Sequence, residues 1–278
     1  MGRTGRWVYI PLVFWTVIIL FPIFWLAETS FKDMIAISTG PNYIPWLQFQ
    51  PTLRAWQSIF SGTQTVLLPL TNSVVVGLMS TTAALILGAA GAYGLSRYHF
   101  QFGRIKNNDI MMWIVSQRMM PPIVTGIAFF LILRLLGLLD TQVGLSIVYL
   151  GMNLPLTVWF MKNYFDQVPI DIEEAARIDG ASPLQSLIRV VVPVSLPGLV
   201  GTFLLTFIFA WNEFLFASLL TFSHAVTLPL FIAAQQSADA IQWWSIAAIA
   251  LVSIVPMIIL SVFVERGLVS GLLSGSNR

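Results

Sequence analysis

The chain has 278 residues, of which 57% are hydrophobic and 9% are charged, and its formal net charge is +2. A typical soluble domain carries about 25% charged residues, so the composition excludes an ordinary soluble globule and indicates a protein solvated mainly by lipid. The absence of cysteine excludes disulfides and thiol chemistry. His99 and His224 are far apart in sequence and do not indicate a metal site, and no basic cluster indicates binding of nucleic acid.

Six segments are long and apolar enough to span a bilayer, because a span needs about 20 residues that each rise roughly 1.5 Å. The six segments are Trp7–Ala27, Ser73–Leu95, Ile110–Leu136, Val143–Met161, Pro197–Leu220 and Trp243–Val264. The first is too long for the apolar region of a signal peptide and lacks a convincing small-residue cleavage site, so we expect it to be retained as an anchor. The sequence therefore predicts an all-α membrane protein with six transmembrane helices.

Lysine and arginine are distributed unevenly between the loops. With the N-terminus in the cytoplasm, the outer loops contain only Lys32 and Arg54, and Arg118 and Arg134 fall within the third span. The remaining basic residues would lie on the cytoplasmic side: Arg3, Arg6, Arg97, Arg104, Lys106, Lys162, Arg177, Arg189, Arg266 and Arg278. Cytoplasmic loops carry the excess of basic residues. We therefore expect both termini and loop 162–196 in the cytoplasm, and loops 28–70 and 221–242 outside.

The most charged segment of the chain, from Pro169 to Pro193, reads as two short helices around a glycine. Asp171 and Glu174 are spaced as a capping box for the first helix, which Gly180 would end in the left-handed conformation. Ser182, Pro183 and Gln185 are typical of the start of a second helix. The apolar residues of that helix have the spacing of one face: Leu184, Leu187, Ile188 and Val191. Pro193 would end the helix.

This segment resembles the EAA loop of the membrane permease subunits of ABC importers. The matching residues are Glu174-Ala175-Ala176, Gly180, and Val190, Val192 and Pro193, with valine in place of the usual Ile and Leu. The resemblance implies that 164–195 is a cytoplasmic loop that docks into a separate ATPase subunit. The residues it implicates in coupling are Asp171, Glu173, Glu174, Ala175, Ala176, Arg177, Asp179, Gly180, Ala181 and Pro193. An ordinary capped helix-turn-helix on a surface is the alternative.

The third span contains Arg118 followed by the paired prolines Pro121 and Pro122. Paired prolines break the helical hydrogen-bond ladder, and a broken helix is tolerated in a membrane only where it lines protein or water. An intramembrane arginine is costly unless it is paired or hydrated. Two interpretations remain open: a role in the substrate pathway or its gate, and a structural kink with a snorkelling or helix-capping arginine.

The fifth span contains Trp211, Asn212 and Glu213, within a stretch that resembles a recurrent one in sugar permeases. An aromatic face and an amide suit a sugar, and a carboxylate inside a span is a functional candidate. These residues are therefore candidates for the substrate pathway or gate, whereas packing of Trp211 and Glu213 against a partner subunit is the slightly favoured alternative. The sequence does not pair Arg118 with Glu213, because their depths in the membrane differ.

Four further segments resemble those of carbohydrate permeases. They are residues 30–32 with 43–45 and 51–53 in the first outer loop, and the tail 266–278, whose Gly271, Ser274 and Gly275 form a Gly-Leu-x-x-Gly run. The resemblance implies contact between this tail and the ATPase, with a frayed terminus as the alternative. Both outer loops are candidates for contact with a substrate-delivery protein, or are simple connectors.

No G-x-x-x-x-G-K-[ST], H-E-x-x-H or G-x-S-x-G motif occurs, so we expect neither ATP binding nor hydrolase chemistry in this chain. The resemblance implies a type I ABC importer transmembrane domain in a prokaryotic inner membrane, carrying a sugar, polyol or glycoside. It also implies a homologous permease as heterodimer partner, an extracytoplasmic solute-binding protein, and two ATPase subunits that bind ATP and Mg. An ABC permease for another solute and a secondary transporter are the alternatives, although no inverted repeat is seen.

Overall fold

The computed structural model of the protein describes residues 9–61, 65–236 and 241–275, and for 265–275 it gives the helical backbone alone. The α-helices are, in chain order, α1 (Tyr9–Thr29), α2 (Met34–Ser38), α3 (Arg54–Ser61), α4 (Leu67–Arg97), α5 (Asn107–Ser116), α6 (Pro122–Leu135), α7 (Gln142–Phe165), α8 (Ile170–Ile178), α9 (Pro183–Ser186), α10 (Val192–Val194), α11 (Leu196–Trp211), α12 (Leu215–Leu220), α13 (Leu228–Ala234) and α14 (Trp243–Gly275). A 3₁₀ turn, Gln117–Met119, follows α5, and a π-turn, Leu187–Val191, joins α9 to α10. Strands β1 (Gln101–Phe102) and β2 (Ile105–Lys106) form an antiparallel hairpin.

Four helices are long and apolar enough to cross a membrane, namely α1, α4, α7 and α14 as far as Val264. Two further spans arise if bent helix pairs count as one: Asn107–Met119 with Pro122–Leu135, bent by 88°, and Pro183–Val194 with Leu196–Trp211, bent by 77°. The predicted all-α architecture with six spans agrees with this arrangement. The predicted first residue of the first span, Trp7, lies outside the described residues.

The chain forms two compact units, residues 1–70 with 228–257 and residues 71–227 with 258–278. In the first unit the segments 30–32 and 51–53 meet, since the Thr52 amide donates to the Phe31 carbonyl at 2.8 Å. Lys32 is buried, pairs with Glu28 at 3.0 Å, and lies 4.9 Å from the ring centre of Trp25. The outer-loop segments singled out in the sequence therefore build one cluster around a buried ion pair.

In the second unit α4 and α7 pack closely through small residues. A Cβ atom added at Gly88 would lie 2.6 Å from Cγ2 of Thr157, so the glycine permits an approach that a side chain would prevent. Beyond this crossing lies an apolar cluster shared by α4, α5, α7 and the π-turn: Ala92, Tyr93, Leu95, Met111, Val158, Met161, Phe165 and Val191. This cluster places the end of α4 beside the end of α7 and the π-turn that follows α9.

Helix α14 continues beyond the predicted sixth span, since its backbone is helical as far as Gly275. Gly271, Ser274 and Gly275 of the predicted ATPase contact therefore lie in the last turns of this helix. The side chains of 265–275 and the residues 276–278 lie outside the described part of the chain. The tail contact stays a prediction.

Candidate functional site

The turn between α8 and α9 has the geometry that its sequence predicts. Gly180 adopts a φ of +92°, in the range that glycine occupies with little steric cost. The Ala181 amide donates to the Ala176 carbonyl, and the Gly180 amide donates to the Arg177 carbonyl, both at 3.0 Å. These two bonds constitute a Schellman motif, which satisfies the last carbonyls of α8 and fixes the exit angle of the chain.

The start of α9 is also capped as predicted, whereas the start of α8 is not. The Gln185 amide donates to the Ser182 hydroxyl at 3.3 Å, and the Ser182 amide donates to the Gln185 side chain at 2.9 Å, which completes a capping box. The predicted box of Asp171 with Glu174 is wrong, because α8 begins at Ile170 with Pro169 in the capping position. Asp171 lies in the first turn, where a carboxylate still complements the helix dipole.

The predicted single apolar face after Ser182 is wrong in half of its members. Val191 is buried, but Leu184 and Ile188 are exposed. The chain changes there from α-helical to π-helical geometry, so residues spaced for an α-helix no longer share one face. The helix does end close to Pro193, at Val194, as the missing amide of proline predicts.

The carboxylates of α8 have opposite environments. Glu174 is exposed, together with Ala175 and Ile178, of which Ile178 is 86% exposed. Glu173, the preceding residue, is 1% exposed. The remaining residues implicated in coupling lie at the surface or partly covered: Asp171, Ala176, Arg177, Asp179, Gly180, Ala181 and Pro193. Within the predicted coupling set, Glu173 is thus the member that is turned away from the surface.

Glu173 faces the end of α4. Its Oε1 accepts from Nε of Arg97 at 2.5 Å and its Oε2 accepts from the hydroxyl of Tyr93 at 2.8 Å. Arg97 also donates to the carbonyl of Phe165 at 2.9 Å and to that of Val168 at 3.0 Å. We call Glu173, Arg97 and Tyr93 the α8 anchor. No sequence pattern predicts this anchor, since the partners of Glu173 are 76 and 80 residues away.

An exposed ion pair lies beside the α8 anchor. Asp166 accepts from Lys162 at 2.7 Å and from the Ser96 hydroxyl at 2.6 Å. Partial burial opposes ionisation of Asp166, but the bonds from Lys162 and Ser96 outweigh it and lower the pKa of the carboxyl group. Because the pair is open to solvent, its contribution to stability is small.

The third span is broken where the paired prolines predict. The 3₁₀ turn ends at Met119, and α6 begins at Pro122, directly after Pro121. Arg118 lies in this turn, where its Nη1 donates to the Met152 carbonyl at 2.8 Å and its guanidinium carbon lies 4.8 Å from the ring centre of Phe209. No ion pair joins Arg118 to Glu213 within the described residues. The charge is thus held by a carbonyl and an aromatic face.

A cavity of about 360 Å³ opens at this break. Its lining combines an amide, a hydroxyl and aromatic rings: Trp113, Ile114, Gln117, Met120, Thr125, Phe129, Gly151, Met152, Leu154, Pro155, Val158 and Phe216. Arg118 and Pro122 join the lining of its smaller overlapping part. Pro155 has no amide to donate to the Gly151 carbonyl four residues earlier, so the regular helical bond at that carbonyl is missing at the cavity wall. The size and the mixed lining are typical of a small-molecule site.

The fifth predicted span is interrupted at Asn212 and Glu213, between α11 and α12. The Glu213 carboxylate accepts from the amides of Phe216 at 3.0 Å and Ala217 at 3.2 Å, so it caps α12. Trp211 is buried and stacks on Phe207 with ring centres 5.7 Å apart. Asn212 donates to the Ile208 carbonyl at 2.8 Å. These contacts lie within the chain, and the cavity at the helix break is lined by other residues. Packing of Trp211 and Glu213 against a partner subunit stays a prediction.

The chain combines apolar spans, one of which is broken beside a cavity, with a capped loop of two short helices. These features are typical of a membrane transport subunit. The chain belongs to the family of binding-protein-dependent transport system inner membrane components, whose model matches residues 81–267. It is therefore a permease subunit of an ABC importer and not an enzyme, with ATP hydrolysis on a separate subunit. Family membership also excludes the secondary-transporter alternative.

Relatives match over nearly the whole chain. The inner membrane ABC transporter permease protein YcjP of Escherichia coli is 36% identical over 273 residues, covering 96% of this chain and 94% of that protein. The trehalose/maltose transport system permease protein MalG of Thermococcus litoralis is 33% identical, with coverage of 96% and 94%. A bacterial ABC transporter involved in the import of the acidic polysaccharide alginate has a similar structure, with a TM-score of 0.69, 24% identity and coverage of 96% and 98%. The fold is thus that of an ABC importer transmembrane domain.

Proposed function

We propose that the protein is one permease half of an ATP-driven importer for a sugar, polyol or glycoside. The similarity to the trehalose/maltose permease MalG over almost the full length supports this substrate class. The mixed polar and aromatic lining of the cavity at the third-span break is compatible with a hydroxyl-rich solute. A homologous permease would supply the other half of the pathway, and an extracytoplasmic binding protein would deliver the substrate.

The exposed surface of α8 is the observation that carries the proposal. Outside the spans, a group of exposed apolar side chains is typical of a surface that a partner covers, and Ile178 is 86% exposed. Ile178 is accompanied by exposed Leu184 and by the carboxylate of Glu174 beside Ala175, whose small side chain allows close approach. Two capped helix ends hold this surface rigid. We infer that an ATPase subunit covers it, and that two such subunits bind the ATP and Mg that drive transport.

The pathway would pass the third-span break. An arginine that lies against a cavity and is held by one carbonyl and one ring keeps further donors for a passing solute. Pro121 and Pro122 provide the helix break that opens this space. Asn212 and Glu213 would contribute by holding the interruption between α11 and α12, and Trp211 would contribute by packing.

The proposed orientation places both termini, the α8–α9 loop and the end of α14 in the cytoplasm. The distribution of lysine and arginine supports it. Because native cysteine is absent, a single cysteine at the exposed Leu184 can be labelled cleanly. Intact cells should protect it from an impermeant maleimide, and opened cells should not. Labelling in intact cells would overturn the orientation.

The function is tested by purifying the tagged chain from its native host after mild solubilisation. We expect an ATPase and a second permease to co-purify, hydrolysis to require that ATPase, and the binding protein's affinity for sugars, polyols and glycosides to identify the substrate. Hydrolysis that follows this chain after removal of the other subunits would overturn the assignment. A binding protein that takes only peptides or ions would overturn the carbohydrate class alone.

A further inference from the structure

One carboxylate of α8 is enclosed while its neighbour is exposed. Glu173 is 1% exposed, whereas Glu174 lies at the surface with the other residues of the proposed ATPase contact. An isolated buried carboxylate is strongly unfavourable, and it persists only when a cation and hydrogen bonds compensate for the loss of water. Contact between Glu173 and a partner protein would require this enclosure to open.

The compensating groups come from a membrane-spanning helix. Arg97 belongs to the last turn of α4, and Tyr93 lies one turn earlier on the same helix. Both carboxylate oxygens of Glu173 are engaged, one by Arg97 and one by Tyr93. Other donors of the guanidinium bind the carbonyl of Phe165 at the end of α7 and that of Val168 in the linker to α8. Three chain segments therefore meet at one charged group.

We propose that Glu173 is a positioning residue that fixes α8 to α4 and to the end of α7, so that the three move as one body during transport. This inference rests on the proposed function, in which α8 meets the ATPase. The backbone between α7 and α8 is only residues 166–169, and a free hinge there would let α8 follow the ATPase without moving the spans. The α8 anchor removes that freedom, and movement at α8 is transmitted directly to α4 and α7.

Replacement of Glu173 should reduce the coupling of ATP hydrolysis to transport more than it reduces assembly of the complex, because Glu173 is buried beneath the docking surface. Glu173→Gln keeps the shape and an acceptor for Tyr93 but removes the charge that holds Arg97. In proteoliposomes with all partners, we expect subunit retention to stay near wild type and the solute imported per ATP hydrolysed to fall about fivefold or more. Glu173→Asp, which keeps the charge, should restore part of that ratio.

The matched control is Asp109→Asn. It removes an exposed carboxylate that accepts from the Lys106 amide at 2.9 Å at the start of α5, outside the α8 anchor, and it should leave the transport ratio unchanged. A geometric readout separates positioning from mere stability. Nitroxide labels on cysteines at Asn163 of α7 and Ile172 of α8, which is exposed but not part of the predicted coupling set, should give a narrow distance distribution in the wild type, with equal width in the presence and absence of ATP. The distribution should broaden in Glu173→Gln.

The outcomes are distinct. An unchanged transport ratio and an unchanged distance distribution in Glu173→Gln overturn the positioning role. If that variant does not insert, Tyr93→Phe, which removes one hydroxyl, decides: a reduced transport ratio supports the proposal, and a wild-type ratio overturns it. Failure of the wild-type chain to bind or stimulate any ATPase would instead overturn the proposed function.

Discussion

Asp140 binds the backbone amide of His224 through both carboxylate oxygens, at 3.1 and 3.0 Å. The same carboxylate accepts from the amides of Phe222, Ser223 and Ala225, at 3.0 to 3.3 Å. Asp140 has a φ of +56°, a conformation that Asp and Asn tolerate better than most residues. Asp140, in the connection between α6 and α7, thus fixes the loop after α12 in the second unit, although the two are more than 80 residues apart in sequence.

Asp140→Asn should release this loop at neutral pH. Partial burial opposes ionisation of Asp140, but the amide bonds outweigh it and lower its pKa to about 2 from an ordinary value of 3.8. A lowered pKa stabilises the folded state above the ordinary value, and the stabilisation is lost as pH falls from about 4 to about 2. The contribution at pH 7 is about 1–2 kcal/mol, reduced for solvent screening.

The measurement is maleimide labelling of a cysteine at the exposed Phe222 in the purified complex at pH 7. We expect faster labelling in Asp140→Asn, and a difference in thermal stability from wild type that narrows below pH 4. Asp33→Asn, which alters a helix cap in the first unit, serves as the control and should not change labelling at 222. Equal labelling rates in the Asp140 variant and the wild type would contradict the proposed role of this carboxylate.

Gly180→Val should uncouple the transporter without preventing insertion. An added Cβ meets no atom within 4 Å, so the difficulty is the φ of +92° and not a clash. The non-glycine penalty is about 1–2 kcal/mol, and re-angling α8 relieves it. Glu174 and Ala175 would then be presented at the wrong angle, and binding-protein-stimulated hydrolysis should fall.

Gly180→Asn provides the comparison, because asparagine enters the left-handed region more readily than valine. It should retain more stimulated hydrolysis than Gly180→Val at equal amounts of inserted complex. Glu174→Lys should resemble Gly180→Val, since it reverses a charge at the proposed contact and opposes the helix dipole. Normal assembly and transport in both Gly180→Val and Glu174→Lys would show that this loop is not the coupling element.

The parts of the fold that the sequence predicted are those governed by local rules. The length of the apolar segments predicted the spans, and the paired prolines predicted the break before α6. Gly180 and Ser182 predicted the turn between α8 and α9. Each depends on backbone stereochemistry or on contacts within a few residues. The false capping box at Asp171 is also local, because α8 begins two residues earlier than the side-chain pattern indicated, with Pro169 in the capping position.

The parts that the sequence did not predict are long-range pairings. Glu173 and Glu174 are adjacent and chemically equal, and only the position of Arg97 decides which is buried. From the sequence alone, Asp140 is an ordinary loop residue, and its role depends on contact with the loop at 222–225. The sequence likewise indicates Glu213 as an intramembrane charge, but because the helix is interrupted at Asn212 its carboxylate caps α12. Such roles depend on tertiary packing, which overrides local propensity.

Glu213→Leu tests the cap on α12. The substitution removes the acceptor of the Phe216 and Ala217 amides, and loss of such a cap costs about 1 kcal/mol. We expect a lower thermal stability of the purified complex. Glu213→Gln retains a side-chain oxygen and should lose less stability. If the Gln variant transports normally, the charge is not needed for transport, whereas a stable Gln variant without transport would assign Glu213 to the pathway.

Arg118→Met should lower transport without impairing insertion, because it removes a charge that is costly inside a membrane. The Met152 carbonyl loses its partner at 2.8 Å, but it can still accept from the amide of its own helix. Uptake per inserted complex is measured in proteoliposomes. Unchanged uptake would show that Arg118 is a snorkelling or capping residue and not part of the pathway.

Gly151 allows the cavity itself to be tested without changing a charge. An added Cβ at this position meets no atom within 4 Å, and the residue lies inside α7. Gly151→Ala should therefore insert and transport normally, with a stability gain of up to about 1 kcal/mol from helix propensity.

Gly151→Trp should also insert, but its side chain would fill part of the cavity beside the lining residues Thr125 and Phe216. We expect uptake to fall at least tenfold in the Trp variant, while hydrolysis stimulated by the loaded binding protein persists, because the α8 surface is unaltered. If the Trp variant transports at the rate of the Ala variant, solute does not pass the third-span break, and the proposed pathway is wrong.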